Sequence, residues 1–241
     1  MKIVAIIQAR MGSTRLPGKV MKKVLGKSLI KYQIERVQRS EYIDEIVIAT
    51  TTKEKDLPII QFCNQHSIPY YRGSEENVLS RYYEAAKLFN ADIIVRLTSD
   101  CPIIDPQVMD QVIQYYLENN YDYVSNTLVR TYPRGMDTEV FSFDVLEKVY
   151  LEAKESNHKE HVTSYIYQHP EIFHLGCVTN DVDYSHHRWT VDTEEDFQLI
   201  KNIIEHLYPL NSQFQLRDVL LLLEEHPDWY EINAKVKQKK V

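Results

Sequence analysis

Arg10, Arg15 and Lys19 crowd one short stretch of this chain, Gln8-Ala9-Arg10-Met11-Gly12-Ser13-Thr14-Arg15-Leu16-Pro17-Gly18-Lys19-Val20. It follows directly on the apolar, largely β-branched run Ile3-Val4-Ala5-Ile6-Ile7. A buried strand opening into such a loop suits a polyphosphate. Glycine lets the backbone approach closely, free N–H groups meet the oxygens, and guanidinium and ammonium groups neutralise charge. The loop is not a P-loop: one residue too many separates Gly12 from Gly18-Lys19, and Val20 stands where that motif needs a hydroxyl for Mg²⁺. Gly-x-Gly-x-x-Gly is absent too. A phosphate loop of another kind remains, beside the plainer alternative of an exposed basic turn.

Two aspartates form the second constellation. Asp100 ends the apolar run 92–98, and Asp192 ends Trp189-Thr190-Val191. In an open α/β sheet, ligands gather at the carboxyl ends of strands. An acid there needs a cation, and Mg²⁺ is typically held by one or two carboxylates plus substrate phosphates. Asp100 and Asp192 are therefore the expected metal ligands. Capping of the following helix by Asp192 or Thr193 is the competing account of the second.

The elements that must position these groups follow from the patterning. Strand-like runs at 3–7, 45–50, 68–71, 92–98, 122–126, 137–141, 172–178 and 188–191 alternate with helical spacing. Helices are expected over 28–39, from 56, over 74–89, 105–119, 143–154, 160–168, 193–207 and 216–225. Strands alternating with helices predict a three-layer α/β fold. No linker or repeat divides the chain, so a single domain over 1–241 is expected, its end frayed from about 235.

Composition narrows the partners. A net charge of −7 argues against a general nucleic-acid or membrane-surface binder, so the basic loop reads as a local site. No apolar run reaches membrane-spanning length, and the first strand begins at the third residue, which leaves no room for a signal peptide. Cys63, Cys101 and Cys177 are widely spaced with no Cys-x-x-Cys, which fits a reducing, cytoplasmic setting and no disulfide framework. His158, His161 and the pair His186-His187 lack the partners of a zinc motif.

The loop 8–19 resembles the signature of the sugar-acid cytidylyltransferases, which make CMP-activated KDO and sialic-type acids. Leu97-Thr98-Ser99-Asp100-Cys101-Pro102 resembles their metal-binding strand end, and Trp189-Thr190-Val191-Asp192-Thr193-Glu194-Glu195-Asp196 their late acidic segment. Arg72-Gly73-Ser74-Glu75-Glu76-Asn77-Val78-Leu79, Pro133-Arg134-Gly135-Met136-Asp137-Thr138-Glu139-Val140 and His158-Lys159-Glu160-His161-Val162 are similar to marks of the spore-coat polysaccharide biosynthesis protein F subgroup. Gln8 departs from the proline usual in better-studied members.

The resemblance implies a Rossmann-like nucleotidyltransferase with a mixed, mostly parallel sheet, working as a homodimer. It implies CTP on Ala9, Arg10, Gly12, Ser13, Arg15 and Lys19, with Arg10 and Lys19 on the triphosphate, and Mg²⁺ on Asp100 and Asp192. Backbone near Thr50 and Ser99 would meet the base. Arg72 either faces the nucleotide or belongs to a turn shaped by Gly73. For the sugar acid, Arg134, Asp137, Glu139 and Arg188 are the candidates, Arg134 and Arg188 having surface ion pairs as the alternative. Arg96, inside an apolar strand, is either a buried partner for an acid or a site residue. A nucleotide-sugar-dependent glycosyltransferase and a non-catalytic nucleotide-binding subunit of a polysaccharide assembly complex are the competing functions.

Overall fold

The β-branched run after Lys2 becomes an interior strand of a seven-stranded sheet in a computed structural model that describes residues 1–238. Strand β1 (Ile3–Gln8) is flanked by β4 (Glu45–Thr51) and β6 (Ile93–Thr98), both parallel to it. Between β1 and β4, β2 (Lys23–Val24) and β3 (Lys27–Ser28) form a small separate hairpin. β5 (Tyr70–Gly73) continues parallel beyond β4. On the other side β8 (Glu139–Ser142) runs antiparallel to β6, β7 (Tyr123–Ser125) antiparallel to β8, and β9 (Leu175–Cys177) parallel to β7. The sheet is thus mixed and mostly parallel. Register aligns Gln8 with Ala49 on one side and Thr98 on the other, so three carboxyl ends open at one edge. Strand order reverses at β1, which puts a crevice there.

Alternation along β1 decides the layers. Ile3, Ala5 and Ile7 pack on one face with α1 (Leu29–Val37), α2 (Leu57–Gln65) and α4 (Pro106–Glu118). Val4 and Ile6 pack on the other face with α3 (Val78–Leu88) and α5 (Phe143–Glu152). A third apolar cluster joins Leu16, Leu29, Trp189 and Val191 to α8 (Glu194–Leu207) and α9 (Leu216–Glu225). This cluster holds the late acidic segment against the start of the chain.

Two expected elements differ. Residues 188–191 form no ladder; only a bridge joins Arg134 and Arg188. The segment is pinned through Trp189 N to Arg134 O at 2.7 Å and Val191 N to Asp100 O at 2.8 Å. The helix expected over 160–168 is two short ones, α6 (Ser156–His161) and α7 (Ser164–Gln168), broken at Val162 with φ 52°. That break buries Val162 and brings the Thr163 hydroxyl to Glu139 at 2.6 Å. A final short helix, α10 (Pro227–Tyr230), precedes the chain end. In the expected tail the Lys237 carbonyl accepts from Arg15 and Gln238 from Arg188. The rest of that tail lies outside the described residues.

Candidate active site

The basic loop is held by its own backbone and by one buried acid. Gly18 N and Ser13 N both donate to Met11 O, at 2.9 and 3.0 Å. Asp56, fully buried, accepts from Met11 N at 2.6 Å and from the Thr51 hydroxyl. Gly18 adopts φ 69°, where a Cβ would press on Met11 Cε at 3.2 Å. This left-handed turn starts the single 3₁₀ turn Lys19–Met21 and throws Lys19 back toward the strand ends.

The Lys19 ammonium stands between the two strand-end acids, 2.9 Å from Asp100 Oδ2 and 2.6 Å from Asp192 Oδ1. The acids are tied together through backbone, since Asp100 O accepts from Val191 N and from the Thr190 hydroxyl. Asp192 also meets Arg15 Nη2 at 2.8 Å and Arg188 Nη2 at 3.0 Å. Asp192 does not cap the helix that follows it. Thr193 caps α8, and Asp196 accepts from the backbone N–H groups of Asp192 and Thr193. Asp196 also anchors Arg188 Nε at 2.8 Å. The sequence thus commits Thr193 and Asp196 to the cap and leaves the Asp192 carboxylate turned to the cations.

Burial opposes the Lys19 charge, yet the two carboxylates outweigh it and hold the ammonium pKa above the ordinary lysine value. Burial likewise pushes Asp100 up, but Lys19 and a hydrogen bond from Thr98 pull it below the usual carboxylate range. Arg188 is lifted by Asp196 and Asp192 against its own desolvation. The cluster is a set of mutually stabilised charges facing a cleft of about 670 Å³.

Of the expected nucleotide-side residues, Ala9, Arg10, Ser13, Arg15, Lys19 and Ser99 line this cleft with Asp100 and Asp192. Arg10 is the most open of the cations, 45% exposed, with Glu75 3.9 Å away. Gly12 sits just behind the wall, where a Cβ would meet Lys55 Nζ at 2.8 Å. Thr50 and Arg72 do not line the cleft. Thr50 is fully buried, and Arg72 donates to the carbonyls of Thr51 and Thr52.

The four sugar-side candidates also lie off the cleft, each with a partner or a place of its own. Asp137 takes both nitrogens of Arg130, at 2.7 and 2.8 Å. Glu139 receives Arg96, Tyr123 OH and Thr163 Oγ1. Arg188 is committed to Asp192 and Asp196. Arg134 borders a separate hollow of about 120 Å³ with His187 and Tyr230. Arg96 is both things the sequence left open: it pairs with Glu139, and it lines the cleft beside Gln8 at 3.3 Å.

Sequence reasoning missed Arg81, Glu160, His161 and Gln238 on the cleft wall. Arg81 is only 2% exposed, donates to Ser74 O at 2.9 Å and keeps a buried Nε without a partner. His161 is held below the ordinary histidine pKa by burial, with Arg96 adding to the effect. The signal for this wall was the His158-to-Val162 segment, which the resemblance marked without giving its histidines a role. His158 instead pairs with Gln168 at 2.9 Å. Among the described residues no three His, Cys, Asp or Glu side chains gather as a metal cage, and no helix is long and apolar enough to cross a membrane.

A family model described as Cytidylyltransferase matches residues 4–240. The spore coat polysaccharide biosynthesis protein SpsF of Bacillus subtilis is 34% identical, over 94% of this chain and 95% of that protein. A 3-deoxy-manno-octulosonate cytidylyltransferase of Geobacter metallireducens is 33% identical over 47% of this chain and 44% of its own. A solved cytidylyltransferase structure from Leptospira borgpetersenii superposes with a TM-score of 0.91 at 33% identity, covering all of both chains. The chain belongs to the cytidylyltransferase family, and its fold is the Rossmann-like nucleotidyltransferase fold.

Proposed function

We propose that this member of the cytidylyltransferase family transfers CMP from CTP to a sugar acid of the nonulosonic type, releasing pyrophosphate, with Mg²⁺ as cofactor. The observation that carries the reading is the Lys19 ammonium held between Asp100 and Asp192 at the mouth of the cleft. A single cation in that position reaches both carboxylates, so the donor set fits Mg²⁺ completed by substrate phosphate oxygens. Bound there, the ion would neutralise charge on those oxygens.

The chain's own groups account for the rest. The side chains of Arg10, Arg15 and Lys19 receive the triphosphate with the backbone N–H groups of Arg10 and Gly12, those of Ala9, Met11 and Ser13 being bonded within the protein. A hydroxyl oxygen of the sugar acid attacks the α-phosphorus, the bond from that phosphorus to the bridging oxygen breaks, and the hydroxyl proton passes to water. Pyrophosphate leaves against the three cations, whose charge meets the charge that develops. For the sugar carboxylate, Arg81 and Arg96 are the guanidiniums that line the cleft outside the 8–19 loop, Arg96 also paired with Glu139, whereas Arg134 and Arg188 lie off it. The SpsF relative, which spans nearly the whole chain, supports a role in surface or spore-coat polysaccharide synthesis.

The test is pyrophosphate release with Mg²⁺, each of the four nucleoside triphosphates and a panel of nonulosonic acids. CTP with one acid is expected to give pyrophosphate, and Asp100→Asn to abolish it. Silence with every pair, together with transfer from a CMP- or UDP-sugar, would make the chain a glycosyltransferase. Parent-like turnover by Asp100→Asn would remove Asp100 from the metal site.

A further inference from the structure

A second cavity, of about 160 Å³, opens away from the cleft between α1, the turn that follows Asp100 and the connection from α8 to α9. Tyr32, Arg36 and Arg39 of the α1 region face Pro102, Tyr208 and Phe214 across it. Its two guanidiniums have no carboxylate within ion-pair distance among the described residues. Arg36 is 3% exposed; its Nε and Nη2 donate to Ile104 O at 2.6 Å and Phe214 O at 2.7 Å and its guanidinium lies over the Phe214 ring at 4.4 Å, which leaves Nη1 without a hydrogen bond. Arg39 is worse provided: Nε and Nη2 are both buried and neither makes a hydrogen bond.

The acids here, of which Glu35 also lines the cavity, are engaged with other groups. Glu35 is taken by Lys27 at 2.6 Å, and Asp105 accepts from Gln107 N and Leu216 N at 2.8 and 2.5 Å. Asp218 accepts from Gln215 N at 2.7 Å. Burial, with Arg39 adding to it, pushes Arg36 down to about 9. Two like charges three residues apart in the chain, with buried N–H groups left over, are costly unless an anion completes them. The donor set is also selective. Free N–H groups of adjacent forks favour a tetrahedral oxyanion over a halide, because several oxygens are engaged at once.

We propose that Arg36 and Arg39 form a phosphate-binding site in this cavity, separate from the nucleotide cleft, for inorganic phosphate or the phosphate of a small phosphomonoester. Its wall includes Pro102, two residues past Asp100, and Arg36 holds the carbonyl of Ile104. An occupant therefore braces the turn that carries Asp100 without touching the cleft. The inference does not depend on the reaction proposed for the cleft.

The full-length protein is titrated with inorganic phosphate, glucose 6-phosphate and, at matched ionic strength, chloride, followed by amide NMR shifts. Phosphate is expected to move the signals of Tyr32, Arg39 and Phe214, and chloride is not. Arg39→Gln should weaken that response at least tenfold while leaving CTP-induced shifts in the 10–19 loop unchanged. Arg39→Lys, which keeps the charge and loses the fork, should fall between the two. If only glucose 6-phosphate acts, the ligand is the monoester; if both act, it is phosphate itself. Shifts confined to the 10–19 loop, an equal response to chloride, or an undiminished response in Arg39→Gln would overturn the site.

Discussion

Replacing Lys19 by methionine keeps the length of the side chain and removes the one charge shared by two carboxylates. With an effective dielectric constant near 20, a unit charge pair at 2.9 Å is worth about 6 kcal/mol before desolvation. Most of that offsets the cost of burying the ions, for the Lys19 side chain is 11% exposed and Asp100 and Asp192 are 21% and 18%. Asp192 keeps Arg15 and Arg188, so the loss falls on Asp100, which has no second ion-pair partner among the described residues. Breaking a fully buried pair costs about 3–5 kcal/mol; with this residual exposure we expect about 2–3 kcal/mol. For a chain of this size that lowers Tm by roughly 4–12 °C. The pH dependence has a fixed sign. Asp100 is depressed in the folded protein, so its contribution is present above the unfolded carboxylate value of 3.8 and is lost as pH falls through the lower folded value. Lys19 is raised, so its contribution is present below 10.5 and is lost as pH rises through the folded value. The gap between parent and Lys19→Met should therefore be widest near neutrality and close at both ends. Urea unfolding without nucleotide, across pH 3 to 11, measures it, with Asp100→Asn and the double variant completing a cycle. A Lys19→Met protein as stable as the parent at pH 7, or additive effects in the cycle, would refute the shared-charge argument. Its rate with CTP should also fall on the order of a hundredfold or more, and a parent-like rate would take Lys19 out of the triphosphate clamp.

Gly135 adopts φ 108°, and a Cβ there would stand 2.6 Å from the Trp189 carbonyl oxygen, so Gly135→Ala should cost about 3 kcal/mol or more. A urea midpoint close to the parent's would show that the 188–191 segment yields easily. His187 is held down to about 4, chiefly by burial and then by His186. The unfolded chain protonates it near 6.5 and the folded one resists, so stability falls as pH drops from about 7 toward 4, by on the order of 1–2 kcal/mol after solvent screening. His187→Gln should flatten that part of the stability profile, and an unchanged slope would show that His187 charges without cost.

What was legible in the sequence was what the backbone decides locally. β1 and the loop behind it follow from a β-branched run stopped by glycine and proline, and the place of Asp100 follows from where an apolar strand ends. Asp192 was readable as an acid near the same edge, although the segment carrying it is no strand; its position comes from Trp189 packing under α8. Which acid each cation meets was not legible, because partners lie far apart in the chain. Lys19 finds Asp192 across 173 residues, and Glu139 is met by Arg96 from a neighbouring strand and by Thr163 from a broken helix. A one-dimensional reading sees Arg134, Asp137, Glu139 and Arg188 as open polar groups beside a site. The fold ties up Asp137, Glu139 and Arg188 in pairs, turns Arg134 to another hollow, and brings Arg81 and His161 to the cleft from segments that read as ordinary helix. Cancellation decides which charges remain for a ligand. At the cleft Asp192 gathers Lys19, Arg15 and Arg188, so an arriving triphosphate need not meet bare cations; it must outcompete a carboxylate for them. A divalent ion that took over Asp100 and Asp192 would free Lys19 and Arg15 for phosphate, and nucleotide and metal binding at this site would then reinforce each other.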